Sequence, residues 1–99
     1  MFALAAWNES SDELRLWRDG LGIKPLFTGV VNDAFVYASE LKGVVATMDD
    51  AELEPDAFID MFCFGWPLPG ATVLRGIREV SPSERIAIRR DGHELSVRR

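Results

Sequence analysis

Apolar and polar positions alternate with a period of two over much of this chain. Leu14 and Leu16 alternate with Glu13 and Arg15, so Glu13 to Arg18 reads as a strand. Phe2 to Trp7 is apolar throughout, the pattern of a strand covered on both faces. The polar run Asn8-Glu9-Ser10-Ser11-Asp12 between them predicts a turn and an antiparallel return. Leu26 to Val31 and Ala34 to Ala38 form a second strand pair across Asn32-Asp33, a turn that tolerates positive φ.

The period then lengthens. Ser39 can cap a short helix whose Leu41, Val44 and Val45 share one face. Met48 to Glu54 is an acidic connection. Pro55 at the first helical position and Asp56 in the first turn start a second helix. Its expected buried stripe is Phe58, Ile59, Phe62 and Cys63. Gly65 stops it and Pro67 prevents its resumption. At the end of the chain, Asp91-Gly92 predicts a two-residue hairpin turn. Pairing across it sets Arg89 opposite Glu94, Ile88 opposite Leu95, and Ile86 opposite Val97, with the four apolar residues on one face. These elements predict an α+β fold: an antiparallel sheet with two helices on one face, and a C-terminal hairpin.

Between the first two strand pairs lies Arg18 to Phe27. Asp19-Gly20 is turn chemistry, Gly22 is a second flexible point, and Pro25 suits the entry to a strand. From the pattern alone this is an ordinary connection whose loose backbone groups need partners. Arg18 and Asp19 are placed to supply them.

Composition narrows the class. Ninety-nine residues make at most one small domain, and 47% hydrophobic residues suffice for a core. No apolar run is long enough to span a bilayer, and no signal peptide is visible. One cysteine rules out an internal disulfide and fits a reducing compartment, so the expected location is cytoplasmic. The net charge of −5 argues against nucleic acid. Charge is uneven: residues 75–99 hold seven arginines against four acids, residues 1–74 four basic groups against twelve acids. A solvated surface explains this most simply, with docking of the arginine-rich end on another domain as the alternative.

Little chemistry is assembled in the residues themselves. Cys63 is expected to be a buried structural cysteine, and His93 a solvated turn residue with no nucleophile beside it. Asp49, Asp50, Glu52, Glu54 and Asp56 lack the spacing and glycine hinge of a calcium loop. Gly20-Leu21-Gly22 followed by Pro25 is neither a dinucleotide fingerprint nor a P-loop.

The order of motifs says more. Arg18-Asp19, Gly22-Ile23-Lys24-Pro25-Leu26 and Ala38-Ser39-Glu40-Leu41-Lys42 resemble the second half of the glutaminase domain of glutamine-hydrolysing asparagine synthetases, which are class II amidotransferases. Met1 to Trp7 resembles the strand preceding this motif. Phe64-Gly65 through Pro69-Gly70, then Leu74-Arg75-Gly76-Ile77-Arg78, resembles the stretch that closes the domain. Gly20 stands where the family usually has a larger residue, and Ser81-Pro82-Ser83 replaces a typical Pro-Gly pair. These departures leave two readings, a true asparagine synthetase or a related amide-forming enzyme.

The resemblance implies half of a four-layer αββα sandwich of the Ntn-hydrolase type, and glutamine-dependent, ATP-driven amide formation with aspartate as the default acceptor. It implies a mature-chain N-terminal cysteine whose thiolate attacks the glutamine amide while its own α-amine serves as base. Here the chain begins Met1-Phe2. The expectation is therefore a partial glutaminase domain over residues 1–99, lacking the nucleophile-bearing first half and the ATP-binding synthetase domain, and non-catalytic alone. Arg18, Asp19, Gly22, Ile23, Lys24, Pro25, Leu26, Ser39 and Glu40 then count as structural motif residues, with no catalytic, cofactor or metal ligand among them. ATP and magnesium belong to the parent enzyme's other domain. The expected partners are the two missing parts, in cis or on a second chain, or another copy of this one. The alternative reading is a non-enzymatic interaction module that keeps the fold.

Overall fold

The computed structural model describes residues 2–65, 70–91 and 94–98. It has the α+β character expected: two antiparallel sheets, two helices and a C-terminal hairpin. The chain divides into two units, Met1–Pro25 with Ser81–Arg99, and Leu26–Val80.

The first unit is a four-stranded sheet of β1 (Ala3–Asn8), β2 (Glu13–Arg18), β6 (Arg85–Asp91) and β7 (Glu94–Arg98), in the order β1-β2-β6-β7. The turn after β1 is held by Asn8, whose Oδ1 accepts the Ser10 and Ser11 amides at 3.0 and 3.4 Å. Leu16 pairs with Ile86 and Leu14 with Ile88, and Leu16, Ile86 and Ile88 are buried. The opposite face carries Glu13, a buried carboxylate that pairs with Arg15 and, at 3.4 Å, with Arg89.

Two expectations change here. β1 is an edge strand with Leu4 to Asn8 all exposed, not a strand covered on both faces. The hairpin register is displaced by two residues: Ile88 faces Val97 and Arg89 faces Ser96, while Asp91 pairs with Glu94. A shift of two preserves which side chains share a face, so burial does not distinguish the registers. Gly92 and His93 lie outside the described residues, as do Trp66 to Pro69 and the helix-terminating role expected of Pro67.

The second unit is a three-stranded sheet in the order β4-β3-β5, from β3 (Phe27–Val31), β4 (Ala34–Ala38) and β5 (Ile77–Glu79). Asn32 and Asp33 have φ of 50° and 65°, the backbone a tight two-residue hairpin demands. Helix α1 (Leu41–Val45) packs on β3 and β4, and its Val44 joins Leu74 and Ile77 in the core. The N-cap is Glu40, not Ser39, and no side chain caps the helix. Val45 is exposed, because a five-residue helix turns few positions towards a sheet.

Thr72 ties the loop before β5. Its hydroxyl accepts the Leu74 amide at 3.2 Å and donates towards the Ile77 carbonyl at 2.7 Å. Helix α2 (Pro55–Phe64) starts at Pro55 and ends on Gly65, whose φ of 86° lets its amide reach the Met61 carbonyl. The segment before it is anchored by hydrogen bonds from the Glu54 amide to Val73 and from the Arg75 amide to Glu52.

The expected stripe of α2 is not buried. Ala57 is its buried residue, whereas Phe58, Ile59, Phe62 and Cys63 are exposed. At roughly 100° per residue these four lie well around the helix from Ala57. On this helix apolar content does not mark the inward face.

Gly29 sits where β3 passes closest to Gly76 and Ile77. A Cβ there would stand 2.3 Å from Ile77 Cδ1 and 2.9 Å from the Gly76 carbonyl oxygen. Gly29→Ala is expected to cost ~1–3 kcal/mol through overpacking, read as a lower midpoint in thermal or urea unfolding. An unchanged midpoint would show that this contact relaxes freely.

Candidate functional site

Of the motif residues, Arg18 and Asp19 are the most highly connected. Both are buried at the end of β2, where the chain leaves the sheet. A backbone leaving a sheet loses its ladder partners, and buried amides must find others. Asp19 supplies them. Its Oδ1 accepts the Gly22 amide at 2.8 Å and its Oδ2 accepts the Phe2 amide at 3.2 Å. Its own amide donates to the Phe2 carbonyl at 3.1 Å, and its carbonyl accepts the Ser83 amide at 2.9 Å. Arg18 Nη2 donates to the Gly22 carbonyl, so both main-chain groups of Gly22 are held by neighbouring side chains.

Gly22 has no room for a larger residue. Its φ is +62°, and a Cβ would meet Pro82 Cγ at 2.6 Å. Gly20 is also constrained, since a Cβ there would stand 3.3 Å from Ser83 Oγ. The segment 81–84 is itself braced. Glu84 accepts the Ser81 amide at 2.7 Å, and the Glu84 carbonyl accepts the Arg18 amide at 3.2 Å.

The remaining motif residues have other surroundings. Ile23 and Lys24 are exposed and Pro25 is half-buried. In the second unit, Leu26 is buried and its carbonyl accepts the Val80 amide at 2.8 Å. Ser39 is exposed, and Glu40 pairs with Lys42 at 3.1 Å in solvent. Sequence reasoning missed Phe2, Pro82 and Ser83 as members of the Asp19 cluster. Phe2 enters through its main chain, which no side-chain pattern reveals. The other two stand against the glycines of the turn, Pro82 beside Gly22 and Ser83 beside Gly20, a long-range proximity that no local pattern reveals.

Little else could hold a reaction. Cys63, expected to be buried, is exposed on α2, a helix with no His, Lys or Arg to act as base. No group of three or more His, Cys, Asp or Glu able to hold a metal ion occurs among the described residues. A cavity of about 640 Å³ in the first unit is lined by Arg15, Trp17, Ser83, Glu84 and Arg85, among others, with no thiol or imidazole. No helix among the described residues is long and apolar enough to cross a membrane. Among the described residues, the side chains of Arg18 and Asp19 bind main-chain amides and carbonyls.

The chain belongs to the glutamine amidotransferase domain family, whose model matches residues 1–98. Its curated relatives are asparagine synthetases. Asparagine synthetase (glutamine-hydrolyzing) 1 of Bacillus subtilis (strain 168) is 33% identical over 92 residues, covering 93% of this chain and 15% of that protein. Asparagine synthetase (glutamine-hydrolyzing) 3 of the same organism is 32% identical over 94 residues, again 93% and 15%. Asparagine synthetase (glutamine-hydrolyzing) 2 is 39% identical over 44 residues, covering 44% and 6%. The chain thus spans about 15% of the length of the first two. No solved structure matches it at comparable significance.

Replacing Asp19 by Ala removes the side-chain acceptors of the Phe2 and Gly22 amides and leaves Gly22 only the Asp19 carbonyl at 3.3 Å. The expected loss is about 1–3 kcal/mol, the cost of one buried donor without its partner. For a chain of this size that is a fall in melting temperature of roughly 5 °C or more. Asp19→Asn keeps one acceptor and should lose less. Equal melting temperatures for wild type and Asp19→Ala would remove Asp19 from its bracing role.

Proposed function

We propose that this chain is part of the glutaminase region of an asparagine-synthetase-like enzyme, acting there as scaffold rather than as catalyst. The observation that carries this reading is the family match along residues 1–98, joined to a motif whose buried polar groups are spent on backbone amides and carbonyls. The parent reaction would take glutamine as nitrogen donor and aspartate as the default acceptor, driven by ATP. Glutamine, ATP and magnesium would bind residues outside this stretch. The partners are then the nucleophile-bearing part of the glutaminase domain and the synthetase domain. A cytoplasmic location fits the same reading, supported by a single cysteine held in no disulfide.

The chemistry of Cys63 supports the scaffolding role. An N-terminal nucleophile uses a thiol and a free α-amine on one carbon. The Cys63 nitrogen is an amide inside α2, so it cannot serve as that base. A second reading, an interaction module that keeps the fold without the enzyme, is favoured by the exposed apolar residues of α2. Phe58 and Phe62 meet there in a tilted arrangement, 5.7 Å between ring centroids, and Phe62 is 82% exposed.

The direct assay is release of glutamate or ammonia from glutamine by the purified chain at high concentration. The expected rate equals that of a Cys63→Ala control. Turnover above this control would make Cys63 a nucleophile and end the scaffold reading. Recovery of glutaminase activity on co-expression with the nucleophile-bearing segment of Bacillus subtilis asparagine synthetase 1 would favour the enzyme part over the interaction module.

A further inference from the structure

We propose that the cavity beside Trp17 is a binding site for a small phosphomonoester on a planar ring, of the nucleoside monophosphate kind. The inference rests on the first unit alone and stands apart from the scaffold reading. Such a ligand is an effector, separate from the ATP that the proposed reaction consumes elsewhere. Three observations carry it.

First, the strand register brings cations together. Across β2 and β6, Arg15 pairs with Ala87 and Trp17 with Arg85, so Arg15 and Arg85 are diagonal neighbours on one face of the sheet. Diagonal positions lie within reach of long side chains, so both guanidinium groups can converge on one anion. Two guanidinium groups match a phosphate dianion better than a singly charged carboxylate.

Second, these charges are only partly spent. Arg15 gives its Nε to Glu13, and Glu13 also takes Arg89 at 3.4 Å. Arg85 is exposed, and no ion pair or side-chain hydrogen bond engages it among the described residues. Glu84, the acid of the cavity wall, accepts the Ser81 amide at 2.7 Å. An apolar layer laid over this face would bury an unpaired guanidinium at high cost, so what sits here carries negative charge.

Third, the cavity is shaped for a small molecule. Its volume of about 640 Å³ is that of a small-ligand site. Trp17 lines it half-buried, an aromatic surface against which a planar ring can pack. Ser83 also lines it, with a φ of 64°, in the left-handed region that residues other than glycine adopt at a cost. The Asp19 carbonyl accepts its amide at 2.9 Å and holds it there. A side chain kept where glycine would sit more easily points to a use for its hydroxyl, a hydrogen bond to the ligand.

The test is isothermal titration calorimetry of the whole chain with adenosine monophosphate, and with inorganic phosphate and adenosine as separate arms. The monophosphate is expected to bind with one-to-one stoichiometry, and more tightly than either part. Arg85→Gln should weaken it about tenfold or more, the loss of a hydrogen bond between charged groups. Arg90→Gln removes the same charge from the other face of β6, where Arg90 pairs with Asp12 at 3.0 Å, and should leave the affinity unchanged. Ser83→Gly relieves the backbone and should raise the melting temperature while weakening the monophosphate, a combination that a purely structural serine would not give. Absence of binding up to about 10 mM would overturn the proposal. So would equal losses for Arg85→Gln and Arg90→Gln, which would reduce the effect to net charge. Inorganic phosphate binding as tightly as the monophosphate would remove the ring and the role of Trp17. Binding of a hexaglutamate peptide in place of the monophosphate would assign the face to an acidic protein segment and equally end the small-ligand reading.

Discussion

A carboxylate at the point where a strand leaves its sheet organises the first unit. Asp19 touches the start of β1 through Phe2, the following turn through Gly22, and the entry to β6 through Ser83, using both side-chain oxygens and both main-chain groups. Three stretches distant in sequence converge on one residue. Hydrogen bonds to a buried side-chain acceptor are costly to lose, and they are directional where apolar burial is not. The apolar pairs Leu14–Ile88 and Leu16–Ile86 supply the burial of this sheet, and Asp19 sets where the chain may leave it.

Much of the strand architecture was legible in the residues because period-two alternation reports one buried face directly. Glu13 to Arg18 and the Asn32-Asp33 hairpin are examples. Helix limits at Pro55 and Gly65 were legible for a related reason, since both residues act on the backbone locally. Burial was harder to read. Phe2 to Trp7 and the Phe58 to Cys63 stripe look like core by composition, yet both are exposed, because apolar character states what a residue would gain from cover and not whether cover is there. The hairpin register failed for a different reason: two registers two residues apart bury the same face, and pattern carries no information about the choice.

The motif was legible as a motif, and its work was only half so. That Arg18 and Asp19 would brace a glycine turn follows from the need to satisfy buried amides. That Ser81-Pro82-Ser83 would be the facing wall does not follow from any local rule. Gly20 leaves room beside this wall, since a Cβ there would stand 3.3 Å from Ser83 Oγ.

The second unit is inserted into the first, and its two ends are tied together by the hydrogen bond from the Val80 amide to the Leu26 carbonyl. This has a kinetic meaning. β2 and β6 lie about 70 positions apart at Leu16 and Ile86, so pairing them from an unfolded chain closes a long loop. If Leu26–Val80 folds first, the effective loop shrinks from about 70 residues to about 16, which by the logarithmic loop-closure relation lowers the entropic cost by about 1 kcal/mol. An inserted unit that forms early in this way eases closure of the sheet that encloses it in sequence.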